Sequence, residues 1–206
     1  MEKNKDKDLK FYYFFRNICV FFSKLFRNPK YIGLENIPDG AFIFAGTHTC
    51  DFDFSRLMGS TKRPVRFIAK YELFKNKFIG SLFRSSGVIP VNRRRETDSV
   101  LLGEEKKEFN RGSMNEALTY LKSGGIIAIF PEGTVNKNKE ELLPFKIGAV
   151  KMASDADVPI VPFAIKYKHR YFGRVTVIFS KPIKVKGDLE KENAKLRDII
   201  GKMLWV

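Results

Sequence analysis

The chain has 206 residues, enough for one full core and short for two. A hydrophobic fraction of 44% fits a globular protein, and the two isolated cysteines, Cys19 and Cys50, exclude a disulfide framework and suit a reducing compartment. The net charge of +15 points to an anionic partner, which on charge alone is nucleic acid, an anionic membrane surface or an acidic substrate.

Residues 1–10 read as a charged, frayed start. Their basic residues are not followed by a small-residue cleavage site, so no signal peptide is expected. On a helical wheel of residues 9–27, Phe11, Phe14, Phe15, Ile18, Phe21, Phe22, Leu25 and Phe26 share one half. Lys10, Arg16, Asn17, Ser23, Lys24 and Arg27 share the other, with only Tyr13 and Val20 among them. The apolar stretches are far shorter than the ~20 residues that span a bilayer. Cations on one face and phenyl rings on the other make the pattern of a helix lying in the membrane interface. The alternative is a helix packed on the protein's own core. The aromatic density and the basic charge favour the interface.

Residues 29–40 form a connector ending in a turn. The run 41–45, bounded by Asp39, Gly40 and Gly46, reads as a short buried strand. His48, one of two histidines with His169, then sits where the strand ends and a helix begins. Asp53 follows five residues later. On one regular helix that spacing puts the side chains roughly 140° apart. With His48 on the turn and Asp53 in the first helical turn, the carboxylate can fold back onto the imidazole and make it a general base. A local bond with Asp51 or Asp53 as helix N-cap remains the other reading of this pair. The helix continues over 54–58, with Gly59 as its stop.

Further along, 65–69 is a strand and 71–83 has helical spacing. Pro90 makes 87–93 an edge strand or an extended loop. Arg93, Arg94 and Arg95 are consecutive, and the last two read as solvated surface. Residues 101–110 are expected to be an exposed loop or short helix. Ser113 and Glu116 form a capping box opening a helix through Leu121, ended by Gly124 and Gly125. The strongest buried strand, 126–130, runs into Pro131, Glu132, Gly133 and Thr134, a strand-end turn of the kind where α/β proteins place ligand contacts. A polar loop, 135–141, precedes a short helix at 149–154. Residues 159–165 read as a strand interrupted by prolines, 175–179 as an alternating strand, and 189–204 as a final exposed helix. Strands alternating with helices give an α/β fold, a mixed sheet flanked by helices, with an N-terminal amphipathic membrane-interface helix. The expected division is an anchoring segment, 1–30, and one domain, 31–206.

Four blocks carry a resemblance. His48 to Asp53 is an HxxxxD block; 87–93 ends in an arginine; Phe130, Pro131, Glu132, Gly133 and Thr134 form a third; 158–162 forms a fourth. In order and spacing they resemble the glycerolipid acyltransferase family, best known for the 1-acylglycerol-3-phosphate acyltransferases. The likeness covers residues 31–185. It implies acyl transfer from a thioester, on coenzyme A or acyl carrier protein, to the hydroxyl of lysophosphatidic acid, giving phosphatidic acid for phospholipid synthesis. By the same resemblance His48 would take the hydroxyl proton and Asp53 would orient the ring. Arg93 and Lys146 would grip the acceptor's phosphate, and Glu132, Gly133 and Thr134 would shape its site. No metal or resident cofactor is implied. The expected partners are the thioester, the lysolipid and an anionic membrane surface, with no nucleic acid, since the aromatics gather on one helix. The expected place is peripheral or monotopic on the cytoplasmic face of a membrane. One departure stands out: the family places an arginine after the third block's EGT, and here that residue is Val135. It keeps open a different acceptor, a lyso-ornithine lipid or another lysophospholipid.

Overall fold

The computed structural model describes residues 2–93, 103–137, 141–167 and 173–205, with side chains from Leu9 onward. Its strands are β1 Lys30–Ile32, β2 Phe42–Gly46, β3 Val65–Lys70, β4 Ile89–Val91, β5 Ile126–Ile129, β6 Ile160–Tyr167 and β7 Val175–Phe179. They form one sheet in the order β1-β7-β6-β2-β5-β3-β4. The β6–β7 pair is antiparallel and the other pairs are parallel, so the sheet is mixed. The helices are α1 Glu2–Arg27, α2 Asp53–Ser60, α3 Lys77–Ser85, α4 Gly103–Lys122, α5 Gly148–Ala156 and α6 Leu189–Trp205.

The period-two alternation of the strands sorts side chains onto two faces. One face is aromatic. Phe42, Phe44, Phe67, Phe163 and Phe179 are buried there with Tyr12 of α1 and Leu57 and Met58 of α2. The other is aliphatic. Ile43, Ile68, Ile89, Ile127 and Ile160 pack with residues of α4, α5 and α6. Every residue of β2 and β5 is buried, as expected for central parallel strands covered on both sides. Each such Phe or Ile contributes about 1.5–3 kcal/mol.

α1 seats itself through the side that the wheel assigned to polar residues. Tyr12 is only 4% exposed, and its hydroxyl accepts the Val65 N–H at 2.9 Å. Arg16 donates from Nε to the Met58 carbonyl (3.0 Å) and from Nη2 to the Thr61 carbonyl (2.7 Å). These bonds cap the end of α2. The opposite side leaves Phe14, Phe21 and Leu25 each more than 60% exposed. The helix therefore packs on the core and still presents an unpartnered aromatic face. Among the described residues no helix is long and apolar enough to cross a membrane.

Several local expectations are corrected. Helix α1 begins at Glu2, so the stretch read as a frayed start is helical. The connector holds edge strand β1, parallel to β7. Gly59 does not stop α2 but lies within it, where a Cβ would meet the Tyr31 hydroxyl at 2.3 Å. The span 71–83 splits into a 3-10 turn, Tyr71–Phe74, and α3, because Asn76 caps the latter by accepting the N–H groups of Phe78 and Ile79. Ser113 opens no helix. It lies inside α4, its hydroxyl donating to the Phe109 and Pro90 carbonyls. α6 is not an exposed helix: Leu196, Ile200 and Met203 are buried. β4 is the edge strand that Pro90 predicted.

β2, β3, β4, β5 and β6 all run parallel, so their carboxyl ends share one edge of the sheet. That edge receives His48 after β2, Lys70 from β3, Arg93 after β4, Glu132 after β5 and Tyr167 from β6.

Candidate active site

β2 ends at Gly46, where any side chain would strike the Phe163 carbonyl at 2.1 Å. The chain then turns and enters α2 at Asp53, so His48 lies on the turn and Asp53 on the first helical residue. The carboxylate folds back. His48 Nδ1 lies 3.1 Å from Asp53 Oδ2, the carboxylate being fully buried and the ring partly so. The same Oδ2 accepts the backbone N–H groups of Thr49 (2.8 Å) and Cys50 (2.9 Å). The helix N-terminus adds its dipole to this anion. Oδ1 accepts the hydroxyl of Tyr167. Burial, then the Asp53 charge, holds the Tyr167 phenol well above the usual range, so it stays a donor. The imidazole rests on Phe130, ring centroids 4.1 Å apart and planes 18° apart. With Nδ1 engaged by the carboxylate, Nε2 carries the lone pair that can accept a proton.

Glu132 works on the histidine's backbone. It is 4% exposed; Oε1 accepts the His48 N–H (3.3 Å), and Oε2 accepts Asn136 Nδ2 (2.8 Å) and the Leu143 N–H (3.0 Å). Asn136 closes the loop by donating its own N–H to the His48 carbonyl at 2.6 Å.

The cations gather over Gly133. This residue has φ +74, a conformation that favours glycine. A Cβ on it would lie 3.1 Å from Lys146 Cε, 3.3 Å from Lys146 Nζ and 3.3 Å from Arg93 Nη1. The heads of Arg93 and Lys146 thus converge above one bare Cα. Burial lowers the pKa of both. For Lys146 the charges of Arg93, Lys70 and Lys106 add to the effect. Arginine nevertheless remains charged. Beside this pair lies a cavity of about 180 Å³ whose walls include Ile68, Val91, Met114, Ile129 and Met152. A second cavity, about 150 Å³, lies by Thr49 and Tyr167 and reaches Trp205.

The structure therefore brings together His48, Asp53, Glu132, Gly133, Arg93 and Lys146. Thr134 lies exposed at the end of its turn, and Val135 is half-buried after it. His169, Arg94 and Arg95 lie outside the described residues. Sequence reasoning missed Tyr167 and Asn136. The strand reading stopped at Ile165, whereas β6 runs two residues further and carries Tyr167 to the site edge.

An acyltransferase family model matches residues 28–166, which contain every one of these site residues except Tyr167. The 1-acyl-sn-glycerol-3-phosphate acyltransferase of Bacillus subtilis is 34% identical over 137 residues, covering 66% of this chain and 61% of that protein. The protein of the same name from Borreliella burgdorferi is 30% identical, covering 74% of this chain and 56% of its own. The chain thus spans less than two thirds of the length of these curated relatives. Among solved structures, the 1-acyl-sn-glycerophosphate (LPA) acyltransferase PlsC of Thermotoga maritima superposes with a TM-score of 0.70 at 24% identity. That match covers 92% of this chain and 78% of that one, and it speaks for the fold.

Proposed function

Because this chain belongs to the acyltransferase family, we propose that it transfers an acyl group from a thioester to the free hydroxyl of lysophosphatidic acid, giving phosphatidic acid. The observation that carries the reading is the pairing of a buried His48–Asp53 dyad with two cations, Arg93 and Lys146, at one sheet edge. His48 Nε2 takes the proton of the acceptor hydroxyl as its oxygen attacks the thioester carbonyl. Asp53 holds the ring and balances the charge it gains, as the acid of a catalytic triad does. Tyr167 and two backbone N–H groups keep that carboxylate in place. When the tetrahedral intermediate collapses, the C–S bond breaks and the thiolate leaves with the proton from His48. The lipid hydroxyl is the nucleophile, so no acyl-enzyme is needed. Coenzyme A or acyl carrier protein is the donor's carrier, and no resident cofactor takes part.

Arg93 offers a planar fork to the acceptor's phosphate and Lys146 a point charge. Glu132 holds the His48 backbone, Gly133 leaves the space above its Cα open to the phosphate, and Thr134 edges the acceptor site. Two cations are already in place, which supports a phosphorylated acceptor despite Val135. A lyso-ornithine lipid or another lysophospholipid is the second reading, favoured by Val135 alone. The exposed aromatic face of α1 lies in the interface of an anionic membrane on its cytoplasmic face, so that residues 1–30 anchor the domain 31–206 without spanning the bilayer.

The test is an assay of purified full chain with a lysolipid panel and both thioesters. Phosphatidic acid as the main product is the expected result. Preferential acylation of a lysolipid without a phosphate monoester would select the second reading, and no transfer from either donor would overturn both.

A further inference from the structure

α3 carries a second exposed apolar group among the described residues. It is a nine-residue helix that lies against α1. Its first turn projects Phe78, 79% exposed, and Ile79, 37% exposed, and the preceding turn projects Leu73, 43% exposed. Phe78 is more exposed than any ring on α1. The core of this segment is satisfied without these side chains: Phe74 is buried and packs on Phe83 at 5.6 Å. Gly80 is buried against the Phe74 carbonyl, where a Cβ would come within 2.3 Å. The tip is therefore fixed in place with its apolar residues facing outward. Asn76 fixes it further by capping the helix.

The charge around the tip has one sign. Residues 70–85 carry Lys70, Lys75, Lys77 and Arg84 against the single acid Glu72. Lys75, Lys77 and Arg84 are exposed beside the apolar group. Exposed rings ringed by cations are what anionic lipid selects, since the rings enter the acyl boundary while the cations meet headgroups. Isolated exposed apolar residues need no explanation, but a rigid group of three beside a helix with a second exposed aromatic face does.

We infer that the 73–79 tip is a second membrane contact, dipping Phe78 and Ile79 into an anionic leaflet beside α1. The inference rests on the reading of α1 as a membrane-interface helix and extends it from a line to a plane. One helix alone leaves the protein free to roll about its axis. A second contact off that axis fixes which way the sheet edge faces the lipid. An acidic carrier protein is the other partner that lysines could attract. Its recognition rests on surface charge, whereas this tip also exposes Leu73, Phe78 and Ile79, which such a partner gives no reason to expose.

The experiment is co-sedimentation of the purified full chain with vesicles of phosphatidylcholine, with and without phosphatidylglycerol. Phe78→Ser combined with Ile79→Ser should lower partition into the anionic vesicles about tenfold. Activity on a short-chain, water-soluble lysolipid should be unchanged, because neither residue belongs to the site. Phe14→Ser with Phe21→Ser serves as the α1 control. Loss in the α1 control alone would leave the anchor standing and overturn the second contact. Loss in neither would overturn both. Loss of carrier-protein affinity with normal partition would assign the tip to the carrier protein and end the inference. Depth is read independently by Phe78→Trp in a Trp205→Phe background, where Trp205 is the chain's single tryptophan. Bromolipid should quench that tryptophan strongly, and quenching no greater than that of a water-exposed indole would overturn the contact.

Discussion

The two halves of the site differ in how far they are satisfied. Asp53 has both oxygens engaged, by His48, two backbone N–H groups and Tyr167. Arg93 and Lys146 face each other over Gly133, and no carboxylate among the described residues pairs with either. A fully bonded cluster is preorganised, so it costs nothing to reorganise when charge develops on the imidazole. Two uncompensated cations, Arg93 half-buried and Lys146 exposed, favour whatever anion arrives. On the proposed reading, the first half acts on the reacting hydroxyl and the second holds the rest of the acceptor.

The largest effect expected is on the bonded half. His48→Ala should lower kcat by about 10²–10⁴-fold while the protein stays folded, since the ring is only partly buried. Circular dichroism beside turnover checks both statements. The cation half should give smaller losses, read in kcat/KM. A charge-assisted contact contributes about 1.5–3 kcal/mol, so Arg93→Ala should lose roughly ten- to a hundredfold on lysophosphatidic acid. Arg93→Lys should also be impaired, because lysine lacks the bidentate fork. Tyr167→Phe should come next, with kcat down about tenfold for one lost hydrogen bond to a charged group and both KM values kept. The groups facing this phenol are Asp53 and Arg56 of α2, Arg27 of α1 and Cys50 of the turn, and phenylalanine keeps its packing with both arginines. An unchanged kcat would show that the Tyr167 hydrogen bond to Asp53 plays no part in turnover.

The smallest effect is one of pH. Lys146 has a lowered pKa, so it loses its proton as pH rises before an unperturbed lysine does. The KM for lysophosphatidic acid should therefore climb below the ordinary lysine range of about 10.4. Lys146→Arg should remove that climb, and a profile identical to wild type would exclude Lys146 from the phosphate.

How much of this was legible depends on how local the cause is. The His48–Asp53 pair was readable because a strand, a tight turn and a helix start are all encoded within twelve residues. The meeting of Arg93 with Lys146 was not readable from spacing. It arises from the parallel order of β4, β3 and β5, and only the family resemblance hinted at it. Tyr167 escaped because the apolar run ends at Ile165 and Lys166 follows it, whereas β6 continues to Tyr167. The reading of α6 as exposed was wrong, and the reading of α1 left out the side that it packs on the core. Helical periodicity alone does not say which face meets the core. α6 buries its apolar stripe, and α1 buries Tyr12 and Ser23 and leaves its rings outside. One practical consequence follows. Deleting residues 1–27 would strip Tyr12 and Arg16 from the fold, so the membrane role of α1 is better probed by substitutions at Phe14 and Phe21.

The difference between the two halves is tested most directly by measuring kcat/KM for His48→Ala and Arg93→Ala on two acceptors, lysophosphatidic acid and a lysolipid lacking a phosphate monoester. His48→Ala should lose the same large factor on both, because the proton transfer is common to them. Arg93→Ala should lose roughly ten- to a hundredfold on lysophosphatidic acid and much less on the other. Equal losses on both acceptors for Arg93→Ala would contradict the account and would place that arginine in the fold or at the thioester rather than on the phosphate.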